Sequence, residues 1–180
     1  MTEKIIGEWM QSRNVRKKII LGTKISSSNP KGIGSTKLSW IRGGGDNLKY
    51  DENNFNEALN KSLERLQTNY IDLYQLHWPE RNTPIFGNLD YEHQFNEKKW
   101  VPIEKILKTI NKLIKKKLIK NYGLSNESPW GLMKFLYEAK KKNYKLPVSI
   151  QNVYNLINRT FDISLSEISM RENCGLLAYS

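Results

Sequence analysis

The chain holds one cysteine, Cys174, among its 180 residues. A single thiol cannot close an internal disulfide, and no second ligand stands at metal spacing from it. Disulfide scaffolds and zinc ribbons are therefore excluded, and a reducing compartment is expected. Cys174 itself reads as a small buried packing residue. No apolar run approaches 18 residues, which is what a membrane-spanning helix needs, and no basic segment leads into an apolar one as in a secretory signal. The expectation is a cytoplasmic protein with no membrane partner. Gly43-Gly44-Gly45 lacks the spacing and the strand-to-helix context of a dinucleotide fingerprint, so it reads as loop.

What is present suits one globular domain over residues 1–180: 38% hydrophobic and 26% charged residues are enough for a core and a solvated surface. The net charge of +11 raises the question of nucleic acid. The lysines, however, are spread along the chain, and the clusters Lys115-Lys116-Lys117 and Lys140-Lys141-Lys142 fall at the ends of predicted helices. Cations there complement the helix dipole. No basic stripe with interleaved aromatics accompanies them, so no specific nucleic-acid partner is expected. A basic field of this kind also draws an anionic phosphorylated cofactor.

Hydrophobic periodicity predicts alternating helices and strands. A short helix over Thr2–Gln11 precedes a strand over Ile19–Lys24. Asp51 caps a helix reaching Leu66, with Phe55, Leu59, Leu63 and Leu66 on one stripe. A strand over Tyr70–His77, a helix over Ile103–Lys117 and a strand over Lys120–Ser125 follow. Ser128 and Pro129 form a cap and first helical residue for a helix ending near Lys142. Strands at Val148–Gln151 and Leu176–Ser180 flank a helix near Ile163–Arg171. Such alternation implies right-handed βαβ units and a parallel sheet.

Strands of a parallel sheet are covered on both faces, so polar residues are least costly at their carboxyl ends, where barrel enzymes keep their chemistry. Five predicted strands end in polar side chains: Lys24; His77; Ser125 and Asn126; Gln151; Tyr179 and Ser180. If the strands are parallel neighbours, all of them reach one rim. The long connections 25–50 and 78–101 leave from that same rim. Other readings stay open for some of these residues. Ser125 and Asn126 also suit a plain turn ahead of the Ser128 cap, and Trp40, Trp78 and Trp100 either line a substrate mouth or simply pack. His93 lies in a polar loop and reads as surface.

Several ordered segments together resemble the aldo-keto reductase superfamily. They are 19–24, Leu66-Gln67-Thr68-Asn69-Tyr70-Ile71-Asp72-Leu73-Tyr74-Gln75-Leu76-His77-Trp78, Tyr122-Gly123-Leu124-Ser125-Asn126, Ser149-Ile150-Gln151-Asn152-Val153-Tyr154-Asn155 and Gly175-Leu176-Leu177-Ala178-Tyr179-Ser180. The loop Trp78-Pro79-Glu80-Arg81-Asn82-Thr83 with Phe86-Gly87 is similar to a bacterial Tas-like branch. The resemblance implies a (β/α)8 TIM barrel and reduction of aldehydes and ketones with NADPH. It assigns Lys24 and His77 to the catalytic set, Lys24 beside a catalytic tyrosine and His77 on the substrate carbonyl. By the same resemblance Ser125, Asn126 and Gln151 hold the nicotinamide carboxamide, Tyr179 stacks on its ring and Ser180 opens a pyrophosphate loop.

The chemistry suits these residue types. Hydride delivery to a carbonyl carbon builds negative charge on its oxygen, where a proton donor and a hydrogen-bond donor must meet. A cation such as Lys24 favours a neighbouring phenolate. The family's catalytic Asp and Tyr lie upstream of the helix that here begins at Thr2, and its last strand lies beyond Ser180. The expectation is therefore about five of eight strands, an incomplete barrel domain lacking the first two strands and the last. A truncated gene model, half of a split gene or a decayed reductase would each explain it. Open edges call for a complementing fragment or self-association. The expected function is carbonyl reduction in the full-length context, with little turnover from these residues alone. The alternatives are a nicotinamide-binding regulatory module without turnover or, further off, a basic nucleic-acid binder.

Overall fold

The computed structural model describes residues 2–28, 48–86, 89–95 and 100–180. Helix α1 (Thr2–Arg13) leads into strand β1 (Gly22–Ile25), and then α2 (Glu52–Leu66), β2 (Ile71–Leu76), α3 (Ile103–Lys115) and β3 (Ile119–Ser125) follow in alternation. Helix α4 (Pro129–Lys141), β4 (Ser149–Val153), α5 (Leu165–Arg171) and β5 (Gly175–Tyr179) complete it. All pairings are parallel, in the order β1-β2-β3-β4-β5, so β1 and β5 are the sheet's edges among the described residues.

Local chemistry sets the helix ends. The Asp51 carboxylate accepts from the Asn54 N–H at 2.9 Å and starts α2, which stops where Gln67 turns left-handed at φ 51°. Ser128 Oγ accepts from the Gly131 N–H at 3.2 Å, with Pro129 at the first helical position of α4. Helix α3 buries Ile103, Ile106, Leu107, Ile110 and Leu113 and carries Lys112 and Lys115 in its last turn, as the sequence pattern requires. Where α1 meets the end of α2, Gly7 is needed for space: a Cβ there would stand 2.5 Å from the Arg65 carbonyl oxygen.

The register shows how the sheet divides its duties. One row across it pairs Ile25, Leu76, Leu124, Ile150 and Leu176, apolar throughout and facing the helices. Shifted by one residue, the row Lys24, Gln75, Gly123, Ser149 and Gly175 has no apolar side chain and lies on the opposite, inner face. Gly123 is required there because a Cβ would come within 3.0 Å of the Ser149 carbonyl oxygen and closer still to its Oγ.

Two boundaries differ from the expectation in ways that matter. Strand β1 begins at Gly22, leaving Ile20 87% exposed, and continues past Lys24 to Ile25, so Lys24 is the penultimate residue. Strand β4 runs two residues beyond Gln151, to Val153, which puts Gln151 inside the ladder opposite Ser125 and Leu177. Tyr179 is the last residue of β5, and Ser180 stands just past it.

At the amino end of the strands, Asp72 is held by ion pairs to Arg16 (2.8 Å) and Lys120 (2.7 Å) and by the Leu21 N–H (3.0 Å). The Tyr70 ring lies against both cations, 3.7 Å from the Arg16 guanidinium carbon and 4.5 Å from Lys120 Nζ. Burial opposes ionisation of Asp72, but the bonds from Lys120, Leu21 and Arg16 outweigh it and hold the carboxyl below its usual range. Cys174 is fully buried in the apolar core, as expected, and burial pushes its thiol up to about 11.

Candidate active site

Alternation along each strand puts Lys24, Gln75, His77, Ser125, Gln151 and Tyr179 on the inner face, near its carboxyl end. His77 stands just past β2, its backbone N–H donating to the Ile25 carbonyl at 2.9 Å. The imidazole is placed on the inner face by that bond. Its Nδ1 lies 3.1 Å from Ser26 Oγ, and the Trp78 ring packs against it with centroids 4.3 Å apart. Burial, reinforced by the charge of Lys24, lowers its pKa from 6.5 to about 4. The ring is therefore neutral near physiological pH. Lys24 is half-buried, and burial lowers its pKa. Among the described residues Lys24 makes no ion pair.

The loop after β3 is tied to the sheet by its own polar atoms. Asn126, left-handed at φ 52°, donates through Nδ2 to the His77 carbonyl (2.9 Å) and to Ser125 Oγ (3.2 Å), and its Oδ1 accepts from the Tyr179 hydroxyl. Ser125 Oγ in turn donates to the Gln151 carbonyl at 3.0 Å. This rim turn brings Ser125, Asn126, Gln151, Tyr179 and His77 into one network. Ser125 and Asn126 spend most of their hydrogen-bonding capacity inside it. The Gln151 side chain is half-buried on this face, where the buried Gln75 Nε2 and Ser149 Oγ have no partner among the described residues. Ser180, at φ 82°, is exposed, and its carbonyl accepts from Asn155 Nδ2 at 3.1 Å.

Two further anchors were not visible in the sequence. Arg81 forks onto the Glu127 carboxylate and reaches Ser128 Oγ at 3.0 Å, a pair almost sealed from solvent. Glu127 is also locked to β4, its N–H donating to Asn152 Oδ1 (3.2 Å) and its carbonyl accepting from Asn152 Nδ2 (2.9 Å). Glu80 accepts from the backbone N–H groups of Tyr50 and of Val101 (2.7 Å), stitching together the far ends of the two long connections. Partners 21 to 47 residues apart leave no periodic signal, and only the fold brings them together.

Aromatic residues behave mostly as packing. Trp78 is buried, its Nε1 donating to the Ser28 carbonyl at 2.9 Å, and its own carbonyl accepts from the Tyr50 hydroxyl at 2.7 Å. Trp78 and Trp100 border a cavity of about 20 Å³ on the helix side of the sheet, with Leu76, Leu124 and Phe135. That space holds little more than one water, so the candidate site is the inner face and not this cavity. Trp40 and Gly43-Gly44-Gly45 lie outside the described residues. His93 is exposed. No helix among the described residues is long and apolar enough to cross a membrane, and no cluster of three His, Cys, Asp or Glu there could hold a metal. Among the described residues Lys61, Lys112, Lys120, Lys134 and Lys140 are paired with carboxylates.

This arrangement has relatives. The chain is 38% identical to Protein tas of Escherichia coli over 186 aligned positions, covering all of this chain and 49% of that protein. It is 36% identical to an aldo-keto reductase of Babesia bovis, covering 91% of this chain and 58% of that one. In structure it resembles an aldo/keto reductase from Klebsiella pneumoniae solved with NADP and acetate, at TM-score 0.68 and 20% identity, covering 98% of this chain and 47% of the other. A second Klebsiella pneumoniae aldo-keto reductase, solved with NADPH, matches at TM-score 0.65. The five parallel strands thus match about half of an aldo-keto reductase barrel, and the chain spans about half the length of most of these relatives. The aldo/keto reductase family model matches residues 1–180 from end to end, and this chain belongs to that family.

Proposed function

We propose that these residues form the carbonyl-orienting and nicotinamide-holding part of an NADPH-dependent reductase of aldehydes and ketones. The observation that carries this reading is the convergence of Lys24, a neutral His77, the Gln151 amide and Tyr179 on the inner face of the sheet, near the carboxyl ends of the strands. The face suits a nicotinamide: Gln151 has both a donor and an acceptor to offer a carboxamide. Tyr179, fastened by its hydroxyl to Asn126, has a ring held in place for stacking. Ser125 and Asn126 act in this reading chiefly by holding that ring, the His77 carbonyl and Gln151 in register. Ser180 begins the segment toward the pyrophosphate.

When bound there, NADPH supplies a hydride to the carbonyl carbon. His77, neutral and stacked on Trp78, donates a hydrogen bond to the substrate oxygen, where negative charge grows. Lys24 places a positive charge beside the same oxygen and favours ionisation of a proton-donating phenol. The hydroxyls of Tyr50 and Tyr179 are spent on Trp78 and Asn126, and Tyr122 lies on the helix side. The reading therefore assigns the proton donor to none of these three, and the 180 residues alone should bind without much turnover. We place the chain in the cytoplasm, acting on small carbonyl compounds. The open edges of β1 and β5 would pair with a complementing fragment or a second copy.

Titration of the chain with NADPH, followed by quenching of tryptophan fluorescence, tests the reading. Saturable binding that weakens in Gln151→Ala and Tyr179→Ala is expected, and absence of binding by the unaltered chain would sink it. An aldehyde-dependent NADPH oxidation assay separates the second claim, which robust turnover by these residues alone would overturn.

A further inference from the structure

We propose that Ser26 is a positioning residue that fixes the tautomer of His77, engaging Nδ1 so that Nε2 carries the proton presented to the inner face. The inference deepens the reductase reading and rests on it for its purpose, although the tautomer itself is a property of the chain alone.

The argument begins with position. Ser26 follows β1 two residues after Lys24 and so belongs to the same side of the chain. The bond from the His77 backbone N–H to the Ile25 carbonyl, at 2.9 Å, pins the two segments side by side. That places Ser26 Oγ 3.1 Å from His77 Nδ1. The Trp78 ring, its centroid 4.3 Å from that of the imidazole, hinders the ring flip that would put Cδ2 where Nδ1 stands. Burial and the Lys24 charge keep the imidazole neutral, leaving a single proton for two nitrogens. In a neutral imidazole one nitrogen donates and the other accepts, and the partner of one decides the role of the other.

A serine hydroxyl serves in either role, and the inner face settles which is useful. A carbonyl oxygen can only accept, so the nitrogen turned to it must donate. With Ser26 donating to Nδ1, the Nε2–H is held ready in advance and no proton has to be rearranged when substrate arrives. The sequence resemblance assigns Lys24 and His77 but says nothing of Ser26, whose role depends on a contact across 51 residues.

Long-range proton–nitrogen NMR on the 180-residue chain labelled with nitrogen-15 at histidine tests this directly, since His77 and His93 are the only two imidazoles. At neutral pH the expected His77 pattern is one protonated-type signal at Nε2 and one acceptor-type signal at Nδ1. Ser26→Ala should move both nitrogens toward exchange-averaged values, and Ser26→Thr, which keeps the hydroxyl, should restore them. A proton on Nδ1 in the unaltered chain would overturn the proposal, as would ring signals unchanged in Ser26→Ala. Should Ser26→Ala fail to fold, the unaltered chain's spectrum still decides which nitrogen holds the proton. None of these readouts needs cofactor or substrate. Failure of NADPH binding would thus count against the reductase reading and leave this result standing, and the reverse also holds.

Discussion

Two rows of the same sheet, offset by one residue, are built for opposite ends. Ile25, Leu76, Leu124, Ile150 and Leu176 lie against the helices, and the first four are 5% exposed or less. Lys24, Gln75, Gly123, Ser149 and Gly175 face inward, keep unpartnered polar atoms in Gln75 and Ser149, and are flanked by Leu177 at 40% exposure. The outer row holds the fold together by removing apolar surface from water. The inner row contributes little to that and instead keeps hydrogen-bonding groups available. Stability and chemistry are thus carried by alternate residues of the same strands.

The largest effect on this contrast should come from Leu124→Ala on the outer row. Leu124 is 1% exposed between Leu76 and Ile150, so its truncation should cost about 2–5 kcal/mol in urea unfolding. Asp72→Asn should rank next, at about 3 kcal/mol, since Arg16 would lose the carboxylate that offsets its partial burial. Because the Asp72 carboxyl titrates below its usual range, its contribution is complete above the unfolded-state pKa and is lost as pH falls through the folded value. Acid unfolding of the variant should accordingly be less steep at the low end than that of the unaltered chain.

A smaller effect belongs to His77. Its folded pKa of about 4 lies below the ordinary 6.5, so the unfolded chain takes up a proton first as pH drops between those values, and stability falls across that window. His77→Gln should flatten the stability profile between pH 6.5 and 4, and a profile with undiminished slope would show that burial does not depress this pKa. The smallest effect on stability should come from Gln151→Ala, within about 0.5 kcal/mol. The same change should weaken NADPH binding several-fold. A Gln151 variant that lost stability like Leu124→Ala would erase the distinction between the two rows.

Much of this was legible in the sequence because local rules govern it. The caps Asp51 and Ser128 and the apolar stripe of α3 each follow from spacing alone, and these three helices stand within a few residues of their predicted bounds. The misplaced start of β1 shows the limit. Ile19 and Ile20 look like strand, yet pairing with β2 begins with the Leu21 carbonyl, which accepts from the Asp72 and Leu73 N–H groups, and Ile20 is left in solvent. The polar side chain of Gln151 suggests a strand end, yet β4 continues to Val153, because polar side chains on the inner face do not stop the ladder.

The alternation of helix and strand, the parallel sheet and the residue types near its carboxyl end all follow from local pattern, because periodicity and capping act over a few residues. No local pattern foretells that Ser26 meets His77, that Arg81 closes on Glu127, that Glu80 bridges Tyr50 and Val101, or that Asn126 is spent on Tyr179 and the His77 carbonyl. Those contacts join atoms 21 to 53 residues apart. A hydrogen bond depends on position to within a fraction of an ångström, and that is set by the packing of the whole sheet and not by any local stretch of chain.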